Sequence, residues 1–202
     1  SALLVTLPFA MYHPLTNMYL NELGVTNVAG KMTLAQMSEV IFMLLLPFLF
    51  VRLGVKKMLL IGMAAWVLRF TLFAAGNNDG RIAFLYIGIL LHGICYDFFY
   101  VTAQIYMDRK APLELRASVQ GFFTLLTFGA GWLIGSLLNG AVLQMYQITD
   151  SASRVVGHQW KDIMVVPGLI ALTVALIFAA LFRDEAPASK RPGACAVRTP
   201  SS

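Results

Sequence analysis

Long apolar runs separated by short polar gaps dominate the 202-residue chain. A helix needs roughly 20 mostly apolar residues to cross the hydrocarbon of a bilayer, and six runs reach that length. They cover about Ala2 to Leu20, Met32 to Val51, Met58 to Ala75, Ile82 to Met107, Ala117 to Met145 and Ile163 to Phe182. The first contains Pro8 and Pro14. Pro14 lacks a backbone donor, which predicts a kink beside Thr16 and Asn17, and such a kink is tolerated in hydrocarbon where it lines a cavity. The segment after Arg183 is rich in Pro, Ala, Ser and basic residues and reads as disordered. The chain therefore divides into a six-helix transmembrane domain over 1–183 and a disordered tail over 184–202.

Composition narrows the class further. Hydrophobic residues make up 58% of the chain and charged ones only 12%, about half the charged fraction of a soluble domain. One core could not hide that much apolar surface from water, and a disordered chain would be poorer in it. The expected fold class is an all-α membrane protein whose solvent is lipid. No signal peptide pattern is present, and the chain opens at Ser1 without an initiator Met, which suggests a processed or truncated product. Cys95 and Cys195 are unlike in setting and are not expected to pair. No Cys/His cluster suggests a metal.

Charge then gives topology. The chain holds 15 Lys and Arg against 10 Asp and Glu. In a soluble protein that excess would raise nucleic acid as a partner; here the positive residues sit in gaps between spans. Arg52, Lys56, Lys57, Arg109, Lys110, Arg116, Arg183, Lys190, Arg191 and Arg198 fall on one side, and Lys31, Arg81, Arg154 and Lys161 on the other. The positive-inside rule puts the first set, and with it both termini, in the cytoplasm.

Three ionisable residues lie within spans: Glu39, Arg69 and Asp97. Each costs at least ~2.5–3.5 kcal/mol at the centre of a membrane helix, so such residues usually face a bundle interior or an aqueous cavity. Gln36 and Glu39 share a helix face, His92 and Tyr96 form an i, i+4 pair, and Asp97 is followed by Tyr100 and Gln104. Carboxylates, amides and aromatic rings from three helices suit a neutral polar ligand with a flat ring and several hydroxyls. The plainer readings are a structural pair of Arg69 with Glu39 or with Asp97, a packed His92, a solvated Gln104, and Phe98 and Phe99 facing lipid. Gly129, Ala130, Gly131, Gly135, Ser136 and Gly140 give the fifth span a small-residue face for close helix packing. Trp160 fits an interfacial anchor.

The stretch Gln36-Met37-Ser38-Glu39, the loop Arg52-Leu53-Gly54-Val55-Lys56-Lys57, then Ala65-Trp66-Val67-Leu68-Arg69-Phe70, Tyr96-Asp97-Phe98-Phe99 and Arg116-Ala117-Ser118-Val119-Gln120-Gly121 resemble, in order and spacing, the C-terminal half of the nucleoside:proton symporter family of the major facilitator superfamily. That resemblance covers roughly residues 10 to 182. It implies one six-helix half of a twelve-helix fold, with substrate between the halves and alternating access by rocking. By resemblance, Asn17, Gln36 and Glu39 bond the nucleoside, Tyr96 packs near it, and Asp97, with Glu39, couples the proton. His92, also expected among the substrate-binding residues, stands where the family tends to place a Tyr, and Pro14 where an amide is expected. Arg52, Lys56, Lys57, Arg69 and Arg116 are structural or gating positions.

The function expected is proton-coupled nucleoside import at a cell membrane, the bacterial inner membrane if the resemblance holds. This chain would supply the C-terminal half and need an N-terminal six-helix half as partner. No cofactor is expected beyond the proton. The same residues admit a sugar or polyol carrier of the superfamily, or a truncated membrane protein that does not transport. No HExxH, GxSxG or paired catalytic Asp motif is present, so an enzyme is not expected.

Overall fold

The computed structural model describes residues 2–78 and 80–182. It is mostly helical. Helix α1 spans Ala2–Glu22 and carries Pro8 and Pro14 inside it. Helix α2 spans Val28–Ala75. At 1.5 Å per residue its 48 residues would measure roughly 72 Å, more than twice the ~30 Å hydrocarbon core. It does not run straight: Gly54 takes φ 74°, ψ 168° and bends it into two arms. Only glycine adopts that backbone region readily, and it falls in the polar Arg52–Lys57 stretch between two apolar runs.

Helix α3 (Ile82–Leu90), α4 (His92–Tyr96), a π-helical turn at Asp97–Val101 and α5 (Thr102–Lys110) follow one another as a single rod over Ile82–Lys110. A second rod, Leu113–Met145, contains α6 (Arg116–Thr124), a π-helical turn at Leu125–Gly131 and α7 (Trp132–Met145). An antiparallel hairpin, β1 (Gln147–Thr149) and β2 (Val155–His158), leads to α8 (Trp160–Leu181). Four of these helices are long and apolar enough to cross a membrane: Val28–Ala75, Ile82–Lys110, Leu113–Met145 and Trp160–Leu181. Helix α1, expected as the first span, is not among the four; its polar residues Thr6, Tyr12 and Thr16 are buried, and Asn17 is exposed.

Helix α2 packs on α3, α4 and α8, and α1 packs on α7 and α8. Glycines set two of these approaches. A Cβ on Gly135 would lie 2.6 Å from the Ala10 Cβ, so the expected small-residue face does meet α1 there and at Gly131, whereas Gly140 faces open space. A Cβ on Gly93 would lie 2.5 Å from the Ser38 carbonyl oxygen. Where the rod loosens at Leu91, Ser38 Oγ donates to the Leu90 carbonyl (2.7 Å) and accepts from the Gly93 N–H (2.9 Å). This backbone-close junction lays Glu39 against His92.

The two ends of the bundle differ in chemistry. At one end the Arg109 guanidinium lies over the Phe50 ring (4.7 Å), Arg52 over Phe48 (4.2 Å), and Arg116 pairs with Asp108 (3.7 Å). At the other, the Tyr19 hydroxyl lies 2.9 Å from the Phe73 and Gly76 carbonyls at the C-terminal end of α2, where the Phe73 carbonyl also accepts from the Gly76 N–H. Glu22 accepts from His158 Nδ1 (2.7 Å) and Trp160 Nε1 (2.8 Å), tying the hairpin and α8 to α1. Trp160 thus turns inward as a latch, 9% exposed, and is not the outward anchor its position suggested. In the hairpin turn, Asp150 accepts from the N–H groups of Arg154 and Ala152, which holds its carboxyl below the usual range.

Phe98 and Phe99 are buried, Phe98 against Leu46 and Met58, which sets aside the plainer reading that they face lipid. The apolar residues that stay exposed include Met37, Val40, Leu44 and Val51 on α2, Phe122, Leu125, Leu133 and Leu137 on the second rod, and Leu176 on α8. Bands of this size would drive aggregation in water; they match a hydrocarbon solvent. Cys95 is buried and free. Cys195, the basic residues from Arg183 onward and the 184–202 tail lie outside the described residues.

Two stability outcomes follow from the junctions. Gly93→Ala should lower the thermal unfolding midpoint in detergent, because backbone must move, whereas Gly140→Ala should raise stability by about 0.5–1 kcal/mol through helix propensity alone. Glu22→Ala strands two donors and should cost about 1–3 kcal/mol, read as a lower midpoint together with stronger acrylamide quenching of Trp160 in a background lacking the other two tryptophans.

Candidate functional site

The junction of α1, α2 and α4 gathers most of the residues singled out above. Ser38, pinned to the Leu91 break, sets the rotation of the first arm of α2. Glu39 then faces α4, and its Oε2 lies 3.8 Å from His92 Nε2. The Glu39 side chain is 26% exposed, so one side meets the ring and the other meets the open face of the bundle. His92 is buried, and its Nδ1 lies 3.1 Å from Arg69 Nη1.

Arg69 is wholly buried on the second arm of α2. Its guanidinium carbon stands 3.2 Å from the Tyr12 ring centroid, 5.2 Å from that of Trp66 and 5.8 Å from that of Phe73. Among the described residues no carboxylate pairs with it, which sets aside both plainer readings, a pair with Glu39 and a pair with Asp97. The physical reason is geometric: three ring faces and the imidazole fill its surroundings, and cation–π attraction in a desolvated site is worth ~2 kcal/mol or more.

Asp97 opens the π-helical turn and is fully buried, with no hydrogen-bond partner for either carboxylate oxygen. Turns of this kind concentrate at functional positions. Partial exposure therefore reaches Glu39 and stops short of Asp97. Tyr96, half-buried, stacks on His92 (6.0 Å, 17°) and tilts on Tyr100 (5.5 Å). Tyr100 itself is buried and donates to Thr6 Oγ1 at 3.1 Å. Asn17 is exposed, takes a hydrogen bond from Asn21 (3.0 Å) and reaches the Met32 sulfur at 3.7 Å. Met32, Gln36 and Glu39 are successive turns along α2, so Asn17, the exposed Gln36 and Glu39 form one polar line along the α1–α2 groove.

Sequence reading missed the aromatic side of the same face. Phe9 contacts Trp66, Tyr96, Tyr100, Phe128 and Trp132, with the Trp132 ring at 5.2 Å and 90°. His13 stacks on Trp132 (6.4 Å, 24°) and meets His92 edge-on (5.6 Å, 74°). The spacing of Phe9, His13 and Asn17, four residues apart on one helix face, was the available signal. The basic candidates Arg52, Lys56, Lys57 and Arg116 lie at the α2 bend and the α5–α6 turn, away from this face.

A cavity of about 560 Å³ lies elsewhere, lined by Leu59, Phe99, Tyr106, Met107, Phe123 and Phe178 among others. It is almost wholly apolar and contains none of the candidate residues. The polar and aromatic groups instead line an open face, as they would if the facing wall belonged to another part of the molecule. Among the described residues no group of three or more His, Cys, Asp or Glu could hold a metal.

Comparison with known proteins bears directly on this face. A family model described as nucleoside H+ symporter matches residues 1–187. The putative nucleoside transporter YegT of Escherichia coli (strain K12) is 39% identical over 184 residues, covering 90% of this chain and 43% of that protein. The nucleoside permease NupG of the same organism is 29% identical over 170 residues, covering 82% of this chain and 38% of the permease. A crystal structure of a NupG mutant superposes with a TM-score of 0.81 at 25% identity, covering 90% of this chain and 46% of the other. The chain spans less than half the length of the relatives it matches. With a bundle of apolar helices, an unfilled polar face and a family match across nearly its whole length, this multi-pass membrane chain belongs to the nucleoside H+ symporter family.

Proposed function

We propose that the chain forms the C-terminal half of a transporter that imports nucleosides together with protons by alternating access. The observation that carries this reading is the open face itself. Asn17, Gln36 and Glu39 line it with amide and carboxylate groups, and Tyr96, His13 and Trp132 line it with half-exposed rings. Amides and a carboxylate exchange hydrogen bonds with ribose hydroxyls and base edges, and the rings stack on a base. A nucleoside offers both partners at once, ribose hydroxyls for the polar groups and a flat base for the rings.

In this reading the two arms of α2 cross the membrane separately, so six segments span: α1, both arms of α2, the two rods and α8. The basic end with Arg52, Lys56, Lys57, Arg109 and Arg116 faces the cytoplasm, as the positive-inside rule requires, in the inner membrane of a bacterium. A second six-helix half supplies the opposing wall. Asp97 carries the coupling proton. When sealed, as here, its ionised form would stand in the interior without a partner, at a cost of several kcal/mol; taking up a proton removes that cost and permits closure. Glu39 binds the substrate and adds a second acidic group to the pathway. Arg69 and His92 support Glu39.

In proteoliposomes holding the complete transporter, an inward proton gradient should drive accumulation of labelled uridine, and excess unlabelled nucleoside, but not free sugar, should compete. Asp97→Asn should abolish accumulation while leaving uridine counterflow. Glu39→Gln should raise the KM for uptake roughly 10- to 100-fold, the range of one hydrogen bond to a charged group. Normal uridine concentration by both variants would refute the residue assignments; stronger competition by sugars would refute the substrate.

A further inference from the structure

We propose that Arg69 is a positioning residue that locks His92 as a neutral imidazole with its hydrogen on Nε2, aimed at Glu39. A guanidinium has donors only. With Arg69 Nη1 at 3.1 Å, His92 Nδ1 must offer its lone pair, so the ring hydrogen resides on Nε2. That nitrogen faces Glu39 Oε2 at 3.8 Å, a gap a small side-chain movement closes. The opposite ring orientation would press a C–H against the guanidinium and turn both nitrogens away from their partners.

The surroundings hold this arrangement. The imidazole lies nearly parallel to Tyr12 (5.4 Å, 23°), Tyr96 (6.0 Å, 17°) and Phe9 (6.3 Å, 26°), with His13 edge-on at 5.6 Å. These rings, from α1 and α4, leave the plane of the imidazole little freedom. The charged and titratable groups around it are Arg69 and Glu39 from α2, Tyr12 and His13 from α1, and Tyr96 from α4. To protonate Nδ1, the Arg69 hydrogen bond must break and a second positive charge must enter beside the first.

A His beside the carboxylates of the proposed transport path invites assignment as a proton carrier. The geometry gives it a different part. His92 is a fixed donor that orients one oxygen of Glu39 inward and leaves the other for the open face, where a ligand must present O–H or N–H groups. Resting on the transport reading above, this makes Arg69 and His92 determinants of a donor-bearing substrate, with the proton left to the carboxylates.

The test is 15N NMR of the complete transporter in lipid nanodiscs, labelled at histidine, with the His92 signals assigned by their loss in His92→Gln. It needs no nucleoside and no uptake, so a failed transport reading leaves it decisive. Between pH 5 and 8, where free imidazole titrates, His92 should keep the Nε2–H signature throughout. In Arg69→Met it should show mixed tautomers and an imidazolium within that range, and Arg69→Lys, which keeps a donor, should restore much of the wild-type pattern. An Nδ1–H or imidazolium signature in the wild type at pH 7, or an unchanged spectrum in Arg69→Met, would overturn the proposal. Should Arg69→Met fail to fold, the wild-type titration and Arg69→Lys still decide it.

Discussion

Arg69 carries a full charge in an interior where no carboxylate pairs with it among the described residues, and much of the bundle is arranged to tolerate that charge. Tyr12, Trp66 and Phe73 turn their faces toward the guanidinium, and His92 takes one of its hydrogen bonds. Those four residues come from α1, α2 and α4, so housing one cation ties three helices together, although its Nε and Nη2 find no hydrogen-bond partner. Ring faces suit this task because they attract a cation without bringing in a second desolvated charge. The cation can therefore stay inside while both acidic side chains remain unpaired with it.

The same economy of contact explains how Glu39 reaches the open face. At Gly93 and Ser38 two backbones approach so closely that a single methyl group would collide with a carbonyl. Ser38 answers the backbone groups loosened at Leu91. Such small-residue contacts with side-chain hydroxyl bridging are what hold helices together where lipid is as apolar as the side chains. At the opposite end of the molecule from the basic turns, Tyr19 and Glu22 do the equivalent work with hydrogen bonds, closing the ends of α1, α2 and α8 around Trp160.

Between these fixed points the polar face is left unfilled. A self-sufficient binding protein would enclose its ligand in a pocket. Here a cavity of about 560 Å³ beside Phe99 and Phe123 is apolar and partly open, while the groups with recognition chemistry stand on an outer surface. The family match over residues 1–187 covers less than half the length of each relative, and in the proposed function this surface is one wall of a site. Asp97 is sealed without a partner, whereas the Glu39 side chain is still partly exposed.

The apolar runs were readable from the chain alone because the membrane imposes a length and a composition on any helix that crosses it, and the bend at Gly54 was foreshadowed by the basic residues around it. Glu39, Asp97 and Arg69 also announced themselves, since an ionisable group in hydrocarbon is expensive wherever it lies. Their partners did not. Whether Arg69 meets a carboxylate or a set of rings depends on helix rotation and on contacts made across tens of residues, such as that between Arg69 and Tyr12. The inward turn of Trp160, the burial of Phe98 and Phe99, and the aromatic line of Phe9, His13 and Trp132 depend on the same rotations. Span lengths come from local composition against lipid, which the sequence carries directly; which face of each span looks inward is settled only when all the helices pack, because close approach at a few small residues sets the rotation of each.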